Sequence, residues 1–187
     1  FIYNAIANLQ GLIGDQQTER ANSYLVAFSQ FIRKQLELNR EETITLQEEI
    51  EAIEIYVKLQ QMRYENRFTF HVETDLDTEA YLIPPMLIQP FVENAIEHGF
   101  KNINYQGVLT LTIEEKGNKL HLILIDNGNG KGVPNPHKKS LSKLITQERL
   151  DLLFNTQQKG NAYFEAAPLS PPETGYRVII VIPVIPS

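Results

Sequence analysis

The sequence has no cysteine and no tryptophan, only two methionines, and no apolar run long enough to cross a bilayer. The missing cysteines exclude disulfides, cysteine-ligated zinc, iron–sulfur clusters and thiol nucleophiles, and they fit a reducing, cytoplasmic setting. A cationic excess is also missing: 17 Lys+Arg stand against 23 Asp+Glu, a formal net charge of -6. A phosphate backbone is held by clustered Lys and Arg, so this balance argues against a nucleic-acid partner. A membrane span needs roughly 18 apolar residues, so membrane attachment would have to come from segments upstream of this chain. The start, Phe1-Ile2-Tyr3-Asn4, has neither Met nor a charged signal region and reads as an excised piece of a longer protein. What is present is 187 residues, 42% of them hydrophobic, enough for one medium domain or two small ones that bury roughly 70% of their unfolded surface.

Residues 1–66 show apolar spacings of three and four throughout and predict three helices. The first carries Ile2, Ile6, Leu9 and Ile13 and is expected to stop at Gly14. The second, with Leu25, Phe28, Ile32 and Leu36, has Asp15 as its candidate cap. The third opens at Thr45-Leu46-Gln47-Glu48, a capping-box pattern. It continues through Ile50, Ile53, Val57, Gln60 and Tyr64 at steps of four and three, a seam that predicts packing along another helix. From Phe68 the period falls to two, so a second domain is expected over 67–187. Strands are expected at 68–72, 109–113, 120–125 and 178–182, with a hairpin across Glu115–Asn118. A helix is expected over 84–98, begun by Pro85, with Pro90 a local cost and Gly99 at its end. Another carries Leu144, Leu150, Leu153 and Phe154. The order predicts an α+β sandwich with helices on one face of the sheet.

Two stretches carry chemistry. In Pro85 to Gly99, Asn94 and His98 are four apart, as are Glu93 and Glu97, which places each pair on one helical face. Magnesium takes one or two protein oxygens and completes its shell with water and phosphates, so a single Asn carbonyl is chemically sufficient there. A solvated helix end fits the same residues. The second stretch is an apolar strand, Leu122–Ile125, ending in Asp126-Asn127-Gly128-Asn129-Gly130. A carboxylate at a strand mouth accepts from an exocyclic amine, and glycines beside it allow close approach of a ligand. An Asx turn fits it equally well. Residues 127–142 hold three Gly, two Pro and three Lys without a period. This loop, with Lys131, Lys138 and Lys139 and then Lys143 and Arg149, would screen a polyphosphate as readily as it would sit solvated.

Together these motifs resemble the ATP-binding domain of histidine kinases, the Bergerat (GHKL) fold shared with DNA gyrase B, Hsp90 and MutL, and in particular the LytS/YehU-type sensor kinases. Pro85 to Gly99 is similar to that family's N box and Asp126 to Gly130 to its first glycine box. Leu46 to Ile50 and Met62 to Phe68 are similar to its capped helix and its L-R-[FY]-x-x-R-F segment. Family members carry a phosphoacceptor His in P-H-F-[LI]-[FY]-N, which would place the acceptor just before Phe1. The four His present, at 71, 98, 121 and 137, lie outside that motif, so the piece as given would bind ATP without its acceptor.

The resemblance implies a mixed sheet with helices on one face and an ATP lid, behind a helical dimerisation segment over 1–66. It implies Mg2+ and ATP as cofactors, Asn94 as the metal residue, and Asp126 holding the adenine amine. Gly128, Gly130 and Lys131 would shape and charge the nucleotide pocket. Glu93 would orient or polarise the acceptor His, and His98 would lie near the phosphates. The implied partners are a second copy of the chain and a response regulator, with the LytTR type as a candidate, and the full-length protein would be membrane-anchored. Two positions depart from the family: the second glycine box is Ser140-Leu141-Ser142-Lys143, and the G-T-x-V of the last strand is Gly175-Tyr176-Arg177-Val178. The departures keep a non-catalytic nucleotide-binding or scaffold module open as the alternative. A hydrolase of the Hsp90 kind is disfavoured, because its general-base Glu would stand where Pro90 is.

Overall fold

The computed structural model describes residues 2–64, 67–101, 103–129, 147–154 and 161–187. Three helices open the chain: α1 (Ile2–Gly14), α2 (Thr18–Leu38) and α3 (Leu46–Arg63). Gly14 does not take the left-handed position after α1. Gln16 does, with φ 59. Its N–H and that of Gln17 donate to the carbonyls of Ile13 and Leu12, the paired bonds of a Schellman motif placed two residues past the glycine. The N-cap of α2 is accordingly Gln17, which makes no side-chain cap bond, and Asp15 is not the cap. The capping box of α3 is present in both directions between Thr45 and Glu48.

The helices pack through one row and expose another. Helix α2 buries Ala21, Tyr24, Ala27, Phe31 and Leu38, and the Phe31 ring lies 5.6 Å from that of Tyr56 on α3. The seam of α3 is buried as expected at Leu46, Ile50, Ile53, Val57 and Gln60. By contrast Leu25 and Leu36 of α2, and Ile2, Ile6 and Ile13 of α1, stand exposed.

Strands follow as β1 (Ile44–Thr45), before α3, then β2 (Phe68–Glu73), β3 (Leu82–Ile83), β4 (Gly107–Lys116), β5 (Lys119–Asp126), β6 (Tyr163–Pro168) and β7 (Tyr176–Pro183). The main sheet has the order β2-β4-β5-β7-β6. Strand β2 runs parallel to β4 and every other pairing is antiparallel, which makes the sheet mixed. The β4–β5 hairpin turns on Gly117 and Asn118, both with positive φ, the backbone that a two-residue turn needs to match strand twist. Leu109, Leu111 and Ile113 share the buried face with Leu122, Leu124, Val178, Ile180 and Ile182. β1 pairs with β3, with Ile44 opposite Ile83, and ties the front of α3 to the second half of the chain.

Strand β6 was not expected. Its residues, Tyr163 to Pro168, alternate weakly because it is an edge strand with most side chains in solvent. The helix expected over 84–98 is shorter. α4 spans Gln89–Asn94 and widens into a π-turn over Ala95–Gly99. Met86 has φ 56, which an α-helix does not pass through, so Pro85 does not begin it. Pro90 lies in the first turn, where a missing N–H leaves no intrahelical bond unmade, so it is no cost. Residues 147–154 form α5, with Leu150 buried and Leu153 half exposed, while Leu144 lies outside the described residues.

Candidate functional site

The site grows from the end of β5. Asp126 is the last residue of that strand, on its buried face. Its Oδ1 accepts from the Gly128 N–H at 2.8 Å. Three glycines press against it. A Cβ on Gly99 would lie 3.2 Å from Asp126 Oδ1, and a Cβ on Gly128 would lie 2.5 Å from the Gly99 carbonyl oxygen. Gly175 has φ +131, and a Cβ there would overlap the Asp126 carbonyl. A side chain at Gly128 or Gly175 would displace the Asp126 carboxylate, the Gly99 carbonyl or the Asp126 backbone, and at Gly99 it would crowd the carboxylate; at Gly175 φ demands glycine as well.

Asn127 and Asn129 fasten this turn. Asn127 accepts from the Val108 N–H at 2.7 Å and donates to the Gln106 carbonyl at 3.1 Å, while Tyr105 Oη donates to the Asn127 carbonyl at 2.8 Å. The Asn129 N–H donates to the Gly99 carbonyl at 3.0 Å, and its amide donates to the Lys101 carbonyl at 3.1 Å and the His98 carbonyl at 3.4 Å. The end of the π-turn and the end of β5 are therefore one unit. Sequence spacing put Asn94–Gly99 and Asp126–Gly128 about 30 residues apart; the fold brings Gly99, His98, Asp126 and Gly128 together. Burial pushes the Asp126 carboxyl up to about 6, against the Gly128 and Tyr176 backbone N–H groups, which pull it down.

Asn94 is the last residue of α4 and is exposed, so its amide oxygen is free of the core and open to a hydrated cation. Glu93, one residue earlier, is half buried and accepts from Gln89 Nε2 at 2.9 Å. Burial raises its carboxyl, Gln89 opposes that, and the neighbouring Glu97 adds to it. One oxygen of Glu97 is buried without a hydrogen-bond partner. His98 is half buried inside the π-turn, a widening that recurs at functional sites. Gly130, Lys131, Lys138, Lys139 and Lys143, together with Ser140–Lys143, lie outside the described residues.

Three residues that matter here escaped sequence reasoning in that role. Glu49 of α3 is fully buried and accepts from the N–H groups of Met86 at 2.8 Å, Ile88 at 3.0 Å and Gln89 at 3.3 Å. Burial raises its carboxyl, while those bonds and Arg149 oppose the rise. Arg149 of α5 donates to the Pro85 and Met86 carbonyls, so the turn into α4 is held from its N–H side by Glu49 and from its C=O side by Arg149. Gln89 is 1% exposed and bonded at both ends of its amide. The available signal was Glu49's position, three after Leu46 and four before Ile53, on the face the seam buries.

A family model described as histidine kinase matches residues 1–68. The sensor protein LytS of Staphylococcus epidermidis is 38% identical over 130 residues, covering 70% of this chain and 22% of that protein. LytS of Oceanobacillus iheyensis is 32% identical over 165 residues, covering 85% of this chain and 28% of that protein. The chain thus spans about a quarter of the length of these curated relatives. Among solved structures, the catalytic domain of the histidine kinase ThkA superposes with a TM-score of 0.54 at 16% identity, covering 78% of this chain and 97% of that one, a likeness of fold.

Proposed function

The chain belongs to the LytS-type histidine kinases, and on that premise we propose that it is the Mg·ATP-binding and dimerising region of a two-component sensor kinase. Residues 1–66 are its helical dimerisation segment and 67–187 its catalytic domain. The single observation that carries this reading is the buried Asp126 carboxylate, enclosed by Gly99, Gly128 and Gly175 and tied to the N-box end through Asn129. A recessed, oriented acceptor with glycine walls fits a flat ring bearing an exocyclic amine.

In this reading Asp126 accepts from the adenine amino group of ATP, and Gly128 and Gly130 leave room for the ring. Asn94 holds magnesium through its amide oxygen, and Lys131 draws the phosphates toward the loop. Bound magnesium supplies charge neutralisation at the transferring phosphoryl group, which with positioning is most of what such catalysis needs. His98 stands at the N-box end near the phosphates. Glu93 orients the acceptor histidine, upstream of Phe1 in the longer protein, and its carboxylate takes up or shares the imidazole proton as the phosphoryl group arrives. The phosphate then passes to an Asp of a response regulator, with the LytTR type as a candidate.

The exposed apolar residues of α1 and α2, Ile6, Ile13, Leu25 and Leu36 among them, support a second copy of the chain as the dimer partner. No helix among the described residues is long and apolar enough to cross a membrane, and anchoring is assigned to the longer protein. Titration calorimetry with Mg·ATP, followed by autophosphorylation of a protein extended through the acceptor histidine, tests the proposal. The glycine-poor segment Ser140–Lys143 favours one second reading, a nucleotide-binding scaffold, which predicts binding without labelling.

A further inference from the structure

One part-buried polar chain is left unused by this chemistry. It crosses from α2 to the catalytic carboxylate: Gln35 Nε2 donates to Gln89 Oε1 at 2.7 Å, and Gln89 Nε2 donates to Glu93 Oε1 at 2.9 Å. An ionised carboxylate is an acceptor only, so the amide nitrogen of Gln89 must face Glu93 and its oxygen must face Gln35. Flipping the buried Gln89 amide would set like against like at both of its part-buried bonds, so this orientation is the satisfied one. Its backbone is fixed as well, because its N–H donates to Glu49.

We infer that Gln89 is a positioning residue for Glu93, holding that carboxylate in one rotamer on a frame set from the helical segment by Gln35. The inference rests on the assignment of Glu93 to the acceptor histidine. Its physical basis is that a half-buried carboxylate in a polar gap has few directions in which a donor can hold it. Here the donor is itself anchored at its backbone by α3 and at its side chain by α2. A small rotation of α2 moves Gln35, withdraws the donor to Gln89 Oε1 and loosens Glu93 without touching the nucleotide pocket. Loosening a catalytic group by tenths of an ångström lowers turnover rather than binding.

The test uses the longer protein that includes the acceptor histidine, with autophosphorylation measured at saturating Mg·ATP and nucleotide Kd measured separately. Gln89→Leu is expected to lower the rate roughly 10-fold or more with Kd within about twofold, and Glu93→Gln to lower it further. The double variant is expected to match Glu93→Gln alone, because Gln89 acts through Glu93. A full rate in Gln89→Leu, or losses that multiply in the double variant, would overturn the inference. A full rate in Glu93→Gln would instead overturn the assignment of Glu93, and the inference with it. If Gln89→Leu loses cooperative unfolding, Gln35→Leu, half buried on α2, carries the test: a slower rate at unchanged Kd supports the relay and a full rate removes it.

Discussion

Asp126 sits where burial disfavours its charge, and that cost has a sign. Its carboxyl is raised to about 6 by burial, so between its ordinary value near about 4 and that value the folded protein binds the extra proton. Ionised Asp126 therefore destabilises the free protein as pH rises through this window, by about 3 kcal/mol at neutrality. Asp126→Asn keeps an acceptor for the Gly128 N–H and removes the charge. It is expected to raise Tm without nucleotide at pH 8, with the difference gone by pH 4, in paired thermal melts. The same variant should lose most Mg·ATP affinity, about 1–3 kcal/mol by calorimetry, since the amine then meets an amide. Asn94→Asp should weaken Mg·ATP comparably while leaving Tm nearly unchanged, because Asn94 is exposed. Gly175→Ala should cost several kcal/mol, about 3 or more in urea unfolding, because φ +131 and the Asp126 carbonyl both forbid the methyl. At this scale Asp126, Asn94 and Gly128 were legible as a motif. What Gly99 and Gly175 do was not, because their neighbours come from other strands and helices.

Elements in this fold are held by a few buried polar bonds between segments distant in sequence. The turn from β3 into α4 is the clearest case, with Met86 in a left-handed conformation between Glu49 and Arg149. Glu49→Gln leaves at least one of three buried N–H groups facing an amide nitrogen and is expected to cost about 1–3 kcal/mol in urea unfolding. Glu51→Gln, whose carboxylate meets Lys34 at 3.3 Å near the surface, is the control and should stay within about 0.5 kcal/mol. The helices of 1–63 and the β4–β5 hairpin were readable because their signals are local: a period, a capping box, a Gly-Asn turn. α1 ends at Gly14 as its pattern predicts, whereas the long helix expected from Pro85 and the missed β6 have a common origin. Left-handed Met86, held between Glu49 and Arg149, and an edge strand's solvation are imposed by neighbours that a local pattern does not contain.

The whole molecule places the glycine-walled Asp126 site at the end of a strand of a mixed sheet and an apolar helical surface near the start of the chain, joined by α3 through β1, β3 and Glu49. That exposed surface predicts association. Leu25→Glu with Leu36→Glu, both exposed on α2, should shift the chain toward monomers in size-exclusion light scattering, with unchanged circular dichroism and unchanged Mg·ATP Kd. The fold class was legible from the switch of period near residue 67, whereas the coupling of the two halves was not, since it runs through one buried glutamate and two glutamines. Thermal unfolding of this chain with Mg·ATP or Mg·GTP tests the proposed adenine site at Asp126. A ligand at 100 times its Kd adds about 2.7 kcal/mol, a rise of roughly 5–10 °C. That rise is expected with Mg·ATP, little with Mg·GTP, and a clearly smaller one with Mg·ATP in Asp126→Asn; no rise at millimolar Mg·ATP, or an undiminished rise in the variant, would contradict this.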